Sequence, residues 1–183
     1  MVNKLKTECS KTRLSPWVEL VETTVYQGQN KHIFHSFDQA DYVTIVAVTK
    51  RRTLLVVRQF RPAVNEVTLE LPGGLMDLVG ERPEDCVLRE LHEETGFSGG
   101  ENFLLLGRWW PDTGRLNNSL WAYFVEDVEA VEDWRGEKGV DFAEIELTKL
   151  SEMIVSGEFR HALHIAIIGA AVMRGLLPEL VQK

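Results

Sequence analysis

Cysteine is scarce in this chain. It has two, Cys9 and Cys86, far apart and without a C-x-x-C pair. That argues against a disulfide framework and a zinc knuckle, and leads us to expect a reducing, cytoplasmic setting. Long hydrophobic runs are also missing. The longest, Ala162 to Met173, is interrupted by His164 and is too short to span a bilayer. The stretch Met1–Leu14 is polar and lysine-containing, without the apolar h-region of a signal peptide. Positive charge is in deficit: 20 Lys+Arg against 28 Asp+Glu give a net charge of −8. Like charge repels phosphate backbones, so broad binding to nucleic acid or an anionic membrane is not expected. No repeat, low-complexity tract or long linker is visible. Gly73-Gly74 lacks the following lysine of a phosphate-binding P-loop. A phosphorylated small molecule stays open to an acidic protein when divalent cations mediate.

What the chain does have is enough apolar material for one core. At 183 residues and 44% hydrophobic, a single domain buries roughly 70% of its unfolded surface and needs no structural metal. Trp17–Val25 and His32–Phe37 read as strands joined by the polar turn at Gln27-Gly28-Gln29-Asn30. Tyr42–Thr49 and Thr53–Phe60 are β-branched runs flanking Lys50-Arg51-Arg52, the pattern of a hairpin. Val67–Leu71, Phe103–Trp110, Ser119–Val125 and Phe142–Leu147 read as further strands. Two segments predict helices. The first opens at Pro83 and closes before Gly96, with Val87, Leu88 and Leu91 as its apolar stripe. The second, Phe159–Met173, is apolar almost all round and therefore expected to be buried, His161 and His164 included. Cys86 is expected to face the core as a small hydrophobe. This order predicts a mixed α/β sandwich rather than repeated βαβ units.

The chemistry concentrates in Arg89-Glu90-Leu91-His92-Glu93-Glu94-Thr95-Gly96-Phe97. On a helix, Glu90 and Glu94 are i, i+4 neighbours and Glu93 stands i, i+3 from Glu90. Three carboxylates thus crowd one face near a C-terminal end that already carries partial negative charge. A hard divalent cation reverses that penalty, since oxygen ligands suit Mg²⁺ or Mn²⁺. Arg89 can neutralise one carboxylate and hold its rotamer. A solvated acidic face is the bland alternative.

From Glu81 through Phe97 the segment resembles the Nudix box, G-x5-E-x7-R-E-U-x-E-E-x-G-U, at every defined position. The one departure is upstream, where six residues, Leu75 to Gly80, separate Gly74 from Glu81 instead of five. The extra residue is expected in the loop before the helix. Val57-Arg58-Gln59-Phe60-Arg61-Pro62 and Leu69-Glu70-Leu71-Pro72-Gly73-Gly74-Leu75 are similar to the ADP-ribose pyrophosphatase and nucleoside diphosphate sugar hydrolase branch. So is Trp17-Val18-Glu19-Leu20 ahead of Thr23-Thr24. The resemblance implies a Nudix fold, an α/β/α sandwich on a mixed sheet. It divides the chain into an N-terminal strand pair, residues 1–40, exchanged across a homodimer, and a hydrolase domain, residues 41–183.

Carried over by position, the resemblance makes Glu90 and Glu94 metal ligands, joined by the Gly73 carbonyl. Glu93 becomes a further ligand or orients water. Arg61 meets the diphosphate or the terminal sugar; Leu75 and Arg115 also belong to the substrate site. Trp17 and Phe34 fall where the branch clamps the nucleobase, with plain core or dimer packing as the alternative. The general base is expected in the acidic loop Glu132–Asp141, with Asp141 the first choice, Glu137 the second and Glu93 a competitor from the box. Asp112-Thr113-Gly114 stands where enzymes selective for ADP-ribose have an S-P-G turn, with Pro111 two residues early. This favours a wider range of substrates. The implied activity is Mg²⁺-dependent hydrolysis of nucleoside diphosphate sugars such as ADP-ribose or GDP-mannose, giving a nucleoside monophosphate and a sugar phosphate. The alternatives are a non-catalytic nucleotide-sugar sensor and a housecleaning nucleoside triphosphatase. Intact Glu90, Glu93 and Glu94 speak against the sensor, and Arg61 with the N-terminal strands against the triphosphatase.

Overall fold

A run such as Tyr42-Val-Thr-Ile-Val-Ala-Val-Thr49 can be buried on both faces only in a sheet covered on both sides, and that is where it lies. In the computed structural model, which describes residues 6–181, strand β4 (Tyr42–Thr49) is buried at every position after Tyr42. It belongs to a seven-stranded sheet with β5 (Thr53–Arg61), β6 (Glu66–Glu70), β7 (Phe97–Ser98), β8 (Glu101–Trp109), β9 (Leu120–Ala130) and β10 (Val140–Glu146). The order along the sheet is β10-β5-β4-β9-β7, with β6 on β5 and β8 on β9. Helix α1 (Pro83–Thr95) covers one face: Cys86, Val87 and Leu91 pack with Val43, Ile45, Ala47 and Leu55 in one apolar cluster. Side chains alternate along a strand, so Thr44, Val46 and Val48 point to the other face, which α3 (Ala162–Met173) meets through β4.

The ends of α1 are those expected. Pro83 opens the helix, and Gly96 closes it at φ +71°, its N–H bonded to the His92 carbonyl. The buried C-terminal helix starts later than Phe159, because the His161 side chain caps it by accepting from the His164 N–H. Helix α2 (Leu147–Ser156) was not expected. Its apolar stripe is short, with Leu147 and Leu150 alone fully buried, and it follows β10 without a breaker residue.

The chain divides into two compact units. The seven-stranded sheet, apart from the strand-end residues Trp109 and Leu120, and its helices lie in one, Tyr42–Arg108 with Trp121–Lys183; the other comprises Met1–Asp41 and Trp109–Leu120. Inside the latter, the Phe37 N–H bonds the Arg115 carbonyl at 2.7 Å, and Asn118 Nδ2 bonds the Ala40 carbonyl at 2.8 Å. Its sheet has three strands, not the expected two: β1 (Lys6–Arg13), β2 (Glu19–Gln27) and β3 (Asn30–Asp38), antiparallel in that order. Strand β1 was invisible in the sequence because every residue of it is exposed, so no alternation marks it. It is held by backbone pairing and polar contacts, including Lys11 with Asp38 and Tyr26 Oη donating to Glu8 at 2.9 Å.

Candidate active site

Helix α1 places Glu90 and Glu94 one turn apart, and burial makes both carboxyls reluctant to ionise. Glu94 is 5% exposed. Its burial pushes the carboxyl up to about 8; the Gly73 N–H, donating to Oε2 at 2.8 Å, opposes this, and the charges of Glu90 and Glu137 add to it. Burial likewise raises Glu90, with Arg89 opposing and Glu93 and Glu137 adding. Glycine is required at residue 73, where a Cβ would lie 2.2 Å from the Val43 carbonyl oxygen, and at residue 74 a Cβ would lie 2.5 Å from the Glu90 carboxylate carbon and push that side chain aside. The Pro72-Gly73-Gly74 segment can therefore run directly against the two acids.

Arg89 organises the remaining carboxylates. Its Nε and Nη2 bond the two oxygens of Glu81 at 2.9 and 3.1 Å, while Nη1 bonds Glu90 at 2.8 Å and Glu93 at 2.9 Å. The six-residue loop between Gly74 and Glu81 ends in the turn Leu78–Glu81, closed by the Glu81 N–H on the Leu78 carbonyl. Val79 at its tip is fully exposed. Glu81 thus keeps its bidentate grip on Arg89 despite the longer loop.

These groups line an open cavity of about 620 Å³. Gly73, Leu75, Arg61, Glu90, Glu93, Glu94 and Glu137 all reach it; Asp141 does not. Asp141 sits on β10 opposite Arg58 of β5 and lines a separate depression with Trp134 and Phe142. Arg61 is committed on one side: its Nε and Nη2 bond Glu70 at 2.8 and 2.7 Å. Burial of Glu70 disfavours its charge, yet the bonds from Arg61 and Thr68 outweigh that and hold the carboxyl at about 2. The donor set offered by Glu90, Glu94 and the backbone beside them is all oxygen. A buried acid whose pKa is raised further by the charge of a part-buried neighbour fits a hard divalent cation.

Comparison with known proteins supplies the family and the fold. A family profile described as "NUDIX domain" matches residues 38–165, more than half of the chain. The chain belongs to the Nudix family. It is 27% identical over 118 residues to an ADP-ribose pyrophosphatase of Bacillus subtilis (strain 168), covering 64% of this chain and 63% of that one. It is 42% identical over 85 residues to an ADP-sugar pyrophosphatase of Mus musculus, covering 44% and 34%. With a GDP-mannose pyrophosphatase of Escherichia coli O9:H4 (strain HS) it shares 30% over 142 residues, covering 71% and 72%. The chain spans less than two thirds of the length of the Bacillus and mouse relatives. A crystal structure of an ADP compounds hydrolase superposes with a TM-score of 0.81 over 96% of this chain and 98% of that chain. At 15% identity this shows the shared fold.

The other residues expected at the Nudix site lie in the N-terminal unit, all exposed: Trp17 at 67%, Phe34 at 58%, and Arg115 in the loop after Pro111. Two cavity residues read from sequence as structural, His161 and His164, also line the Nudix cavity. Their rings stack at 3.8 Å between centroids, and His164 Nδ1 accepts the Leu71 N–H at 2.9 Å. Burial drives His164 down to about 3, so it is neutral and structural. Glu70, His161 and His164 offer ligand atoms within 4.8 Å of one another. Glu70 is held by Arg61 and Thr68, and the His164 Nδ1 lone pair is already used. Cys86 is wholly buried as expected, its thiol pushed up to about 12 by that burial.

Proposed function

We propose that this chain hydrolyses the diphosphate of nucleoside diphosphate sugars, releasing a nucleoside monophosphate and a sugar phosphate. The observation that carries the reading is the pair of charge-averse carboxylates, part-buried Glu90 and buried Glu94, in a cavity they share with Arg61 and Glu137. Relatives named for ADP-ribose, ADP-sugars and GDP-mannose support this substrate class. Glu90, Glu94 and the Gly73 carbonyl would hold Mg²⁺, with Mn²⁺ able to substitute, and Glu93 would assist. Such an ion supplies Lewis acidity toward the diphosphate and toward water.

The chain's own residues do the rest. Arg61, fixed through Glu70, presents its remaining Nη to the substrate's negative charge. Leu75 gives an apolar wall. Glu137 takes the proton of the attacking water, and its place in the cavity favours it over Asp141. Trp17, Phe34 and Arg115 serve base and sugar binding in a homodimer built through the N-terminal sheet, whose Ile33, Phe34 and Phe37 are exposed apolar residues. Among the described residues no helix is long and apolar enough to cross a membrane. The two unpaired cysteines, Cys9 and Cys86, support a reducing, cytoplasmic setting.

The test is a panel of nucleotide sugars incubated with Mg²⁺ and read by chromatography. Hydrolysis of at least one to monophosphate and sugar phosphate is expected. Inertness toward every diphosphate, with Mg²⁺ or Mn²⁺, would sink the reading.

A further inference from the structure

The loop between β9 and β10 carries Glu137 and contains little that can hold it in place. Between Val131 and Val140 the sequence is Glu-Asp-Trp-Arg-Gly-Glu-Lys-Gly, in which Trp134 is the single large apolar side chain. Asp133, Gly136 and Gly139 all adopt positive φ, and every residue of the stretch except Trp134 is exposed.

Trp134 is fastened at three points. Its indole N–H donates to the Glu93 carbonyl at 3.1 Å. That carbonyl lies in the last turn of α1, where carbonyls have no partner within the helix. The ring rests on Gly96: a Cβ there would meet indole Cδ2 at 2.5 Å and Cγ at 2.6 Å. Its edge meets Phe142 of β10 at 5.4 Å between centroids and 77°, and Phe142 in turn meets Phe97 at 5.9 Å. Gly96 therefore does two things at once. It closes the helix in a left-handed conformation and leaves the flat seat on which the indole lies. Close by, the Val131 N–H bonds the Gly96 carbonyl at 2.8 Å.

We infer that Trp134 is a positioning residue, latching the Glu137 loop onto the C-terminal end of the helix that carries Glu90, Glu93 and Glu94. The residue that anchors to the Glu93 backbone stands three positions before Glu137, so the carboxylate cluster and the base share one rigid element. This deepens the proposed function and rests on Glu137 being the base. An ångström of misplacement in a reacting group costs up to about 100-fold in rate, and in this loop of charged residues and glycines Trp134 supplies the side-chain anchor, beside the backbone bond from the Val140 N–H to the Glu137 carbonyl at 3.3 Å.

Two measurements on full-length protein test the latch. In the first, Trp134→Ala and Trp134→Phe are compared in the wild-type and Glu137→Gln backgrounds, on whichever nucleotide sugar the panel identifies. Trp134→Ala should lower kcat on the order of 10- to 100-fold with KM nearly unchanged. Trp134→Phe, which keeps a ring but loses the N–H, should fall between it and wild type. In the Glu137→Gln background neither change should cost anything further, because the group being positioned is already gone. A full, multiplicative loss in both backgrounds, or no loss in either, overturns the proposal. The second measurement is amide hydrogen exchange, which needs no substrate. Trp134→Ala should speed exchange across residues 132–140 by about tenfold or more, leaving the core of α1 protected. Unchanged exchange there overturns the latch even in an active enzyme. If wild type is inert on the panel while Trp134→Ala releases the loop, the assigned activity fails and the latch stands.

Discussion

Replacing Glu94 by Gln should make the metal-free protein more stable at alkaline pH while removing its activity. In the folded chain this carboxyl is held up to about 8, against an ordinary value of 4.5, chiefly because it is buried. A raised folded pKa means the unfolded chain releases its proton first. The penalty is therefore absent below about pH 4.5, grows between 4.5 and 8, and is complete above that. A shift of this size corresponds to roughly 5 kcal/mol at most. Relaxation of the site and entry of water and counter-ions reduce it, leaving about 2 kcal/mol. Gln has the same volume and an oxygen for the Gly73 N–H, so little is lost in exchange. For a chain of this length about 2 kcal/mol corresponds to roughly 4–8 °C in Tm. The assay is thermal unfolding in EDTA at pH 5.5, 7 and 9, for wild type and Glu94→Gln. The mutant should gain little at pH 5.5 and most at pH 9. Added Mg²⁺ should raise the wild-type Tm and leave the mutant nearly unmoved. A mutant destabilised equally at all three pH values, or stabilised by Mg²⁺ as much as wild type, would refute the reasoning.

Glu137→Gln should lower kcat by about 10²–10⁴-fold, with partial recovery as pH rises, whereas Asp141→Asn should stay near wild type; pH–rate profiles of both decide between them. Gly74→Ala forces a methyl into the Glu90 carboxylate, so a Tm titration with Mg²⁺ should show weakened metal binding. Arg61→Ala strands Glu70, whose side chain is 4% exposed, and should cost about 1–3 kcal/mol in denaturant unfolding near pH 7. Because Glu70 is depressed to about 2, its contribution is present above about pH 4.5 and lost as pH falls through 2, so the gap between mutant and wild type should close in acid. Light scattering of the full chain should report a dimer, and deletion of the residues before Asp41 should abolish it; a full-length monomer at micromolar concentration refutes the assembly proposed.

Helix α1 was legible because everything that defines it is local. Proline at its first turn, glycine after its last and an apolar stripe on one face fix its ends and its buried side wherever it packs. The carboxylate cluster followed, since i, i+4 spacing alone puts Glu90 and Glu94 on one face. The same holds for β4 and β5, whose unbroken apolar runs have no stable place outside a doubly covered sheet. Strand β1 and helix α2 were not legible. The first buries no side chain and exists through backbone pairing to β2, and the second shows too short an apolar stripe to stand out.

Which of the two candidate loop carboxylates reaches the cavity was also beyond the sequence. Asp141 and Glu137 are four residues apart in one acidic loop. Only the pairing of β10 with β5 sends Asp141 to the strand and leaves Glu137 at the cavity. Nor does anything local announce that Glu70, across the β5–β6 pairing, takes two nitrogens of Arg61, the residue expected to meet the diphosphate or the sugar. Trp134 and Gly96 are 38 residues apart, and the indole's seat exists only once the loop has returned to the helix end. What the sequence determined by itself was the chemistry carried on one helix, because helical spacing is a local property. What the tertiary structure decided was how strongly that chemistry is perturbed and which distant groups attend it, because burial and contact across the sheet are properties of the whole fold.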